Sequence, residues 1–269
     1  MKITLFVVLT AISLNVNSCG AQKQKEISQV TSVKSEGENL NIPKSLNVVL
    51  KKDKVYEIAY ANIIKNKQEV LFKQYFPKAG PIISEYGGKN IASFNVTDLK
   101  DGGILEKPTM LVLFEWPSIQ VYEKTIADSR LKELFPLRNS AFKDFGQSFV
   151  TVKEDTSITF MADKSYEFFL AWLKPNGQKS LGEYFKVSAP IKKTYGKPEP
   201  VFKANLSPIS NAPKSKTVLN PQMVGIVEWD NLSDFDEMVN NPEFKAKAKP
   251  LFDKAIQRIE MIHGKVILQ

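Results

Sequence analysis

The feature that most constrains this chain is an internal repeat. Tyr56-Glu57-Ile58-Ala59-Tyr60-Ala61-Asn62-Ile63 aligns with Tyr166-Glu167-Phe168-Phe169-Leu170-Ala171-Trp172-Leu173 at an offset of 110. Residues 74–89 align with 183–198 at an offset of 109, sharing Tyr, Phe, Pro, Ile, Tyr and Gly in order. Residues 111–116 match 224–229 at an offset of 113, both ending in Glu-Trp. Pro136-Leu137 and Ala141 recur as Pro250-Leu251 and Ala255 at an offset of 114. Four blocks in one order with slowly drifting offsets mean a duplication whose loops have changed length.

Each unit alternates between the two periods that distinguish strand from helix. The first block is β-branched, aromatic and apolar, a strand signal. The second places Leu71, Tyr75, Ile82 and Tyr86 near helical spacing and ends in Gly87-Gly88, or Gly196 in the copy, where a terminating glycine belongs. Pro81 and Pro190 inside this pattern predict a kink or restart. Strands follow at 91–96 and 201–206. The third strand ends in Glu-Trp, and Pro117-Ser118 or Asp230-Asn231 supplies capping chemistry for a second helix. Its apolar face is Ile119, Tyr122, Ile126, Leu131 and Leu134, matched by Leu232, Phe235, Val239 and Phe244. Last strands are expected near 147–152 and 261–268. The class is α+β, with two ferredoxin-like βαββαβ units, each carrying two helices on one face of a four-stranded antiparallel sheet. The other sheet face is apolar, and a second copy can cover it.

The first unit closes its first helix on Tyr86-Gly87-Gly88-Lys89. Its third strand ends in Glu115-Trp116-Pro117-Ser118, and its second helix runs to Phe135-Pro136-Leu137-Arg138. This pattern resembles a family of small bacterial domains of unknown function in the dimeric α+β barrel superfamily. The resemblance covers 55–152 closely and 160–268 more loosely: Gly88 gives way to Lys197, Pro117-Ser118 to Asp230-Asn231, and Arg138 to Phe252. Members of that family are usually single domains that pair through their sheets, so the resemblance implies an intrachain pseudo-dimer, with one barrel domain at 55–153 and the other at 154–269. It also implies a ligand class. Superfamily members hold haem, quinone-like or other flat apolar compounds beside the sheet, and some oxidise them without a metal or organic cofactor.

Residues 1–18 read as a signal peptide: Lys2, an apolar run over 3–14, then small residues. That run is too short to remain as a spanning helix. The single Cys follows it directly, and Val16-Asn17-Ser18-Cys19 resembles the lipobox of bacterial lipoproteins, departing from the commonest pattern at Val16 and Asn17. The resemblance implies lipidation of Cys19, a membrane partner and an envelope location. A cleaved signal with an incidental free thiol is the alternative. Residues 19–54 are polar and read as a tether, with residues 46–50 able to dock on the body. One Cys excludes an intramolecular disulfide and a CxxC centre, and one His excludes multi-His metal sites within the chain. The net charge of +8 invites a nucleic-acid reading, with Lys245, Lys247 and Lys249 clustered on one helix. An exported chain without a recognition motif argues against nucleic acid and for a solvated helix end or attraction to anionic lipid headgroups.

By period two, Tyr60 and Asn62 face the barrel and Glu57, Ala59 and Ala61 face the helices; Trp172 occupies the Asn62 position in the copy. Glu115 and Glu228 share a repeat position, where mutual approach suits acid/base work and simple helix capping is the alternative. Arg138 suits either pinning an anion or closing a helix. His263 is expected as a strand residue, with base or haem-ligand roles as alternatives. The long excursion over 198–222 is the expected lid or partner contact. Candidate pocket residues are therefore Tyr60, Asn62, Glu115, Arg138, Trp172 and Glu228. No metal or resident cofactor is expected. The functional expectation is a small apolar or aromatic ligand or an envelope interaction role, with a cofactor-independent oxidoreductase or monooxygenase as the alternative and homo-oligomerisation open.

Overall fold

The computed structural model describes residues 44–100, 106–194, 201–209, 213 and 217–268, which lie in one compact unit spanning Lys44–Leu268. Cys19, the signal segment and most of the expected tether lie outside the described residues. The first half contains β1 (Ser45–Leu50), β2 (Val55–Ile63), a π-helical turn (Val70–Tyr75) running into α1 (Phe76–Glu85), β3 (Lys89–Lys100) and β4 (Met110–Trp116). It continues through α2 (Ile119–Ala127), α3 (Ser129–Lys132) and α4 (Phe135–Asn139) to β5 (Phe142–Thr151). The second half contains β6 (Thr156–Met161), β7 (Ser165–Leu173), α5 (Gly177–Thr194), β8 (Val201–Pro208) and β9 (Met223–Trp229). After it come α6 (Leu232–Asn240), a π-helical turn (Phe244–Ala248), α7 (Lys249–Ala255) and β10 (Ile256–Val266).

Within each half the strands pair in ferredoxin-like order, β5-β2-β4-β3 and β10-β7-β9-β8, and β5–β8 and β10–β3 pairing closes an eight-stranded antiparallel barrel. Alternation sends one residue in two inward. Tyr56, Ile58 and Tyr60 of β2 meet Phe94 of β3 and Tyr166, Phe168 and Leu170 of β7 in one continuous core. The Phe94 ring lies 4.8–6.0 Å from those of Phe160, Tyr166 and Phe168, all edge-on. Gly146 makes room for Tyr60, because a Cβ there would collide with the tyrosine ring. Among the described residues the interior is thus filled by side chains.

Residues 46–50, expected at the end of the tether, instead form β1, which pairs antiparallel with β6 as a separate two-stranded ribbon. Val48 pairs with Ile158, its own equivalent at the repeat offset of 110, so the ribbon is centred between the two halves. Val48, Leu50, Ile158 and Phe160 are buried in the barrel core, while Asn47 and Thr159 on the other face hydrogen-bond at 2.7 Å. The ribbon plugs the end of the barrel at which β2 and β7 begin.

Of the expected kink or restart, the restart does not occur: Pro81 and Pro190 lie inside the continuous segments α1 and α5. One helix departs from expectation. The second helix of the first half, expected unbroken from 119 to 134, divides at Asp128, whose extended backbone and side chain open α3 by accepting from Arg130 N. Asn241 does the same at the equivalent position, accepting from the Glu243 and Phe244 N–H groups. A short polar side chain that can cap is also one that interrupts.

Replacing Leu50, the fully buried last residue of the plug strand β1, with Ala is expected to cost about 2–5 kcal/mol in urea denaturation. A cost below about 0.5 kcal/mol, the size of an ordinary surface change, would show that β1 is not part of the core.

Candidate functional site

The repeated Tyr-Glu and Glu-Trp pairs cross-brace each half. On β2 and β4, Tyr56 lies opposite Glu115 inside the barrel, and its hydroxyl is 3.5 Å from that carboxylate. One residue on, Glu57 points outward beneath the helices and accepts from Trp116 Nε1 at 2.9 Å. The second half repeats both contacts: Tyr166 donates to Glu228 at 2.7 Å, and Trp229 Nε1 to Glu167 at 3.0 Å. Each tyrosine hydroxyl also accepts a backbone N–H from the end of the plug, from Lys51 at 2.5 Å and from Met161 at 2.6 Å. Burial pushes the Tyr56 phenol up to about 12 and raises Tyr166 as well. These tyrosines are therefore neutral fasteners between ribbon and barrel.

The buried carboxylates on the outer face are where the halves diverge. Glu57 has two side-chain donors, Trp116 and Gln147, and Gln147 is held in turn by the Tyr122 hydroxyl, 3.0 Å from its Nε2. Burial raises the Glu57 pKa, and the two donors oppose the rise. In the second half the positions of Gln147, Phe149 and Tyr122 hold Met261, His263 and Phe235. Glu167 keeps its Trp229 bond but has lost the amide and the phenol. Burial carries its pKa up to about 7, against the opposing Trp229 and Lys192.

His263 takes the vacated side. It sits opposite Glu167 in the β10–β7 register and opposite Asp98 in the β10–β3 register. Its side chain is completely buried, its Nε2 is 3.7 Å from Glu167 Oε2, and the Phe235 ring lies 4.9 Å away. Neither ring nitrogen has a hydrogen-bond partner. Burial lowers its pKa to about 4, with Asp98 and Asp236 opposing and Lys100 assisting. The imidazole is therefore neutral at pH 7, and its approach to Glu167 is not an ion pair. Asp98, Lys100 and Asp236 form a partly exposed cluster on its solvent side, with both Lys100 contacts at 2.9 Å. An unsatisfied buried polar group costs about 1–3 kcal/mol, and the other half fills this position with Phe149.

The expected pocket residues do not converge. Tyr60 is buried in the barrel, and its hydroxyl lacks a hydrogen-bond partner. Asn62 lies at the same end, paired in register with Asp144 next to a bulge, as does Trp172, over which Arg258 stacks at 4.3 Å. Glu115 and Glu228 face inward at the plugged end, on the Tyr56 and Tyr166 rungs. Four residues of strand, about 13 Å, separate the two levels. The glutamates do not pair across the axis: Glu115 has Tyr56 and Lys89, and Glu228 has Tyr166 and Lys203 at 3.2 Å. Arg138 lies on α4, outside the barrel, with its guanidinium 4.4 Å from the Phe135 ring centre. Of the 198–222 excursion, residues 201–208 are β8. Residues 217–219 return to bond Gln147 N and O on β5, and Val218 packs against Trp116 and Tyr122. The intervening expected lid falls largely outside the described residues.

Glu167, which sequence reasoning passed over, is the chemically distinctive group. The available signal was a charged residue on the helix-facing side of a strand in both copies. His263 is not presented as a haem ligand, because its Nε2 faces Glu167 Oε2 at 3.7 Å. Among the described residues no group of three or more His, Cys, Asp or Glu side chains is placed to hold a metal ion. A shallow cleft of about 380 Å³ at the β7–α5 turn, lined in part by Lys174, Gln178, Gln222 and Gln257, includes neither Glu167 nor His263.

No protein-family model and no curated protein sequence matches this chain. Among solved structures, an anthrone oxidase-like protein is similar over 82% of this chain and 94% of its own, with a TM-score of 0.51 and 14% identity. A monooxygenase-type protein from Lactobacillus acidophilus matches 80% of this chain and 94% of its own, at a TM-score of 0.38 and 13% identity. A haem-binding protein from Thermus thermophilus matches 84% and 95%, at 0.46 and 8%. Identities this low speak to the fold alone, which is that of the dimeric α+β barrels.

The two shifted groups make opposite contributions to stability. Folded Glu167 keeps a proton that the unfolded chain loses at its ordinary value of 4.5, so its contribution falls as pH rises from 4.5 to about 7. Folded His263 refuses a proton that the unfolded chain takes up below 6.5, so its contribution rises from about pH 4 to 6.5. The two cancel where the windows overlap. Glu167→Gln is expected to leave stability rising by roughly 3 kcal/mol across the histidine window, and His263→Phe to leave it falling by a similar amount across the glutamate window. Urea denaturation of both variants as a function of pH checks the signs, and equal slopes would refute the assignment.

Proposed function

We propose that this chain is an exported, membrane-anchored lipoprotein whose duplicated barrel is a rigid scaffold, and that its second half handles a small flat aromatic molecule at Glu167. The observation that carries the site is the buried carboxyl, held at about 7, beside a neutral imidazole with no partner. A carboxylate near neutral pKa is a competent base at physiological pH, and the dry wall of Trp229 and Phe235 suits an aromatic ring. The fully bonded Glu57 of the first half has no such vacancy. Because Glu167 and His263 are buried, a ligand reaches them by displacing Phe235 and the short helix α6.

The fold likeness to an anthrone oxidase-like protein supplies a probe. Anthrone is a carbon acid with three fused rings. Its C–H proton passes to the Glu167 carboxylate, leaving a delocalised carbanion that dioxygen oxidises; anthrone and one O₂ become anthraquinone and one water. The neutral His263 imidazole lies beside Glu167, where it stands next to the transferred proton. No resident cofactor enters this balance.

Aerobic anthrone conversion is expected with the wild type and is expected to fall about 100-fold or more in Glu167→Gln. Saturable quenching of tryptophan fluorescence by anthrone without turnover would reduce the site to a binding one. Neither turnover nor saturable quenching would overturn the reading.

The anchor rests on the position of Cys19 directly after an apolar run. Among the described residues no helix is long and apolar enough to cross a membrane. Cys19→Ala is expected to move the protein from the membrane fraction to the soluble envelope fraction, and retention in the membrane fraction would refute lipidation.

A further inference from the structure

The outer helical layer of the second half carries a row of positive charge. On α5, Lys179, Lys186 and Lys193 recur at i, i+7 and i+14, which places them on one helical face, and all three are exposed. At 1.5 Å per residue the row is about 21 Å long. Gly182 and Ala189 lie between the lysines on the same face, a Cβ at Gly182 would have nothing within 4 Å, and one exposed acid, Glu183, flanks the row between Lys179 and Lys186. Phe185 stands at the edge of the row, 47% exposed. The opposite face of α5 packs through Leu181, Tyr184 and Ile191 onto Phe244, Ala248 and Ala255 of the neighbouring π-turn and α7. That second segment adds exposed Lys245, Lys247, Lys249 and Lys254. Lys247 and Lys249 are paired within their own turn, to Glu243 and Asp253 at 2.7 Å. Among the described residues, Lys179, Lys186, Lys193, Lys245 and Lys254 have no carboxylate at ion-pair distance.

We propose that this face is a docking surface for an anionic phospholipid bilayer. The charges are spread along a rod rather than gathered around a point, which matches a plane of separate negative headgroups and not a single anion. The small residues between the lysines let that plane approach the helix closely. An exposed aromatic at the rim is suited to the depth where headgroup meets acyl chain. The face lies on the outer helices, so occupying it leaves the barrel and the Glu167 pair untouched, and the inference stands independently of the site reading and of the anchor.

The test uses the full chain carrying Cys19→Ala, so that the apolar N-terminal run is the same in every sample. Its co-sedimentation is compared with vesicles of phosphatidylglycerol and phosphatidylethanolamine and with vesicles of phosphatidylcholine. Preferential binding to the anionic vesicles, weakening as salt is raised, is expected. The triple variant Lys179→Glu, Lys186→Glu, Lys193→Glu is expected to bind them about 100-fold more weakly or less, with an unchanged melting temperature because the side chains are exposed. Phe185→Ala is expected to weaken binding several-fold. Equal binding to both vesicle types, or anionic binding that survives the triple variant, would overturn the proposal. So would a charge-dependent affinity for RNA without a vesicle preference.

Discussion

Each four-stranded half-sheet has an apolar face that its own two helices cannot reach, and the architecture depends on burying both at once. Helices cover the outer faces; the inner faces cover one another, because β10 pairs with β3 and β5 with β8. Those two seams are unequal. β10 and β3 form six pairs, three on each side of a bulge between His263 and Gly264, whereas β5 and β8 share only Val150↔Pro208 and Thr151↔Ser207. Pro208 has no N–H to donate, and one further bond, from Ile209 N to Phe149 O at 3.2 Å, follows it. Residues 217–219, returning from the excursion, supply the missing partners to Gln147. The described end of the excursion therefore contributes to closure at the weaker seam.

The filled barrel redirects the chemistry. Tyr60, Phe94, Tyr166 and Phe168 occupy the volume in which a ligand was expected, and the β1–β6 ribbon stoppers one end. What remains chemically unusual lies on the opposite side of the same strands, between sheet and helices. The interior positions of β2 and β7 build the core, and the alternate positions carry Glu57 and Glu167. A one-residue step along a strand separates structural duty from chemical opportunity.

The two halves also surround equivalent carboxyls differently. In the first half Glu57, Gln147, Tyr122 and Trp116 satisfy one another, and a network of that kind rigidifies a core. In the second half three of the surrounding residues differ, and the same carboxyl is left with one donor and a neutral histidine. The brace formed by Tyr166 and Glu228 is retained, so the scaffold around Glu167 is as firmly tied as its counterpart. Equivalent positions of one chain thereby hold a fully bonded carboxyl and one with a single side-chain donor.

Much of this was legible along the chain because it is local and periodic. The offsets near 110 implied the duplicate, and the alternation over 55–63 put Tyr60 inside and Glu57 beneath the helices. The change from period two to period 3.6 marked both ferredoxin-like units, and Asn66 and Asn176, with φ of 73° and 63°, are the turn residues one would choose after each first strand. Three decisions belonged to tertiary structure. Leu46, Val48 and Leu50 are too few to announce a strand, and they became one only by pairing with β6 over the barrel mouth. Glu115 and Glu228 shared a repeat position, yet their partners were set by the strand opposite, which turned each toward its own tyrosine. The pKa of Glu167 depends on how much water and how many donors reach it, and those are fixed by Trp229, Phe235 and His263, residues 62 to 96 positions away in the chain. Sequence by itself determined which elements form and which way their side chains alternate, since those follow from neighbours along the backbone. Only the folded barrel decided which groups are left dry and unpartnered, since burial is a property of everything packed around an atom.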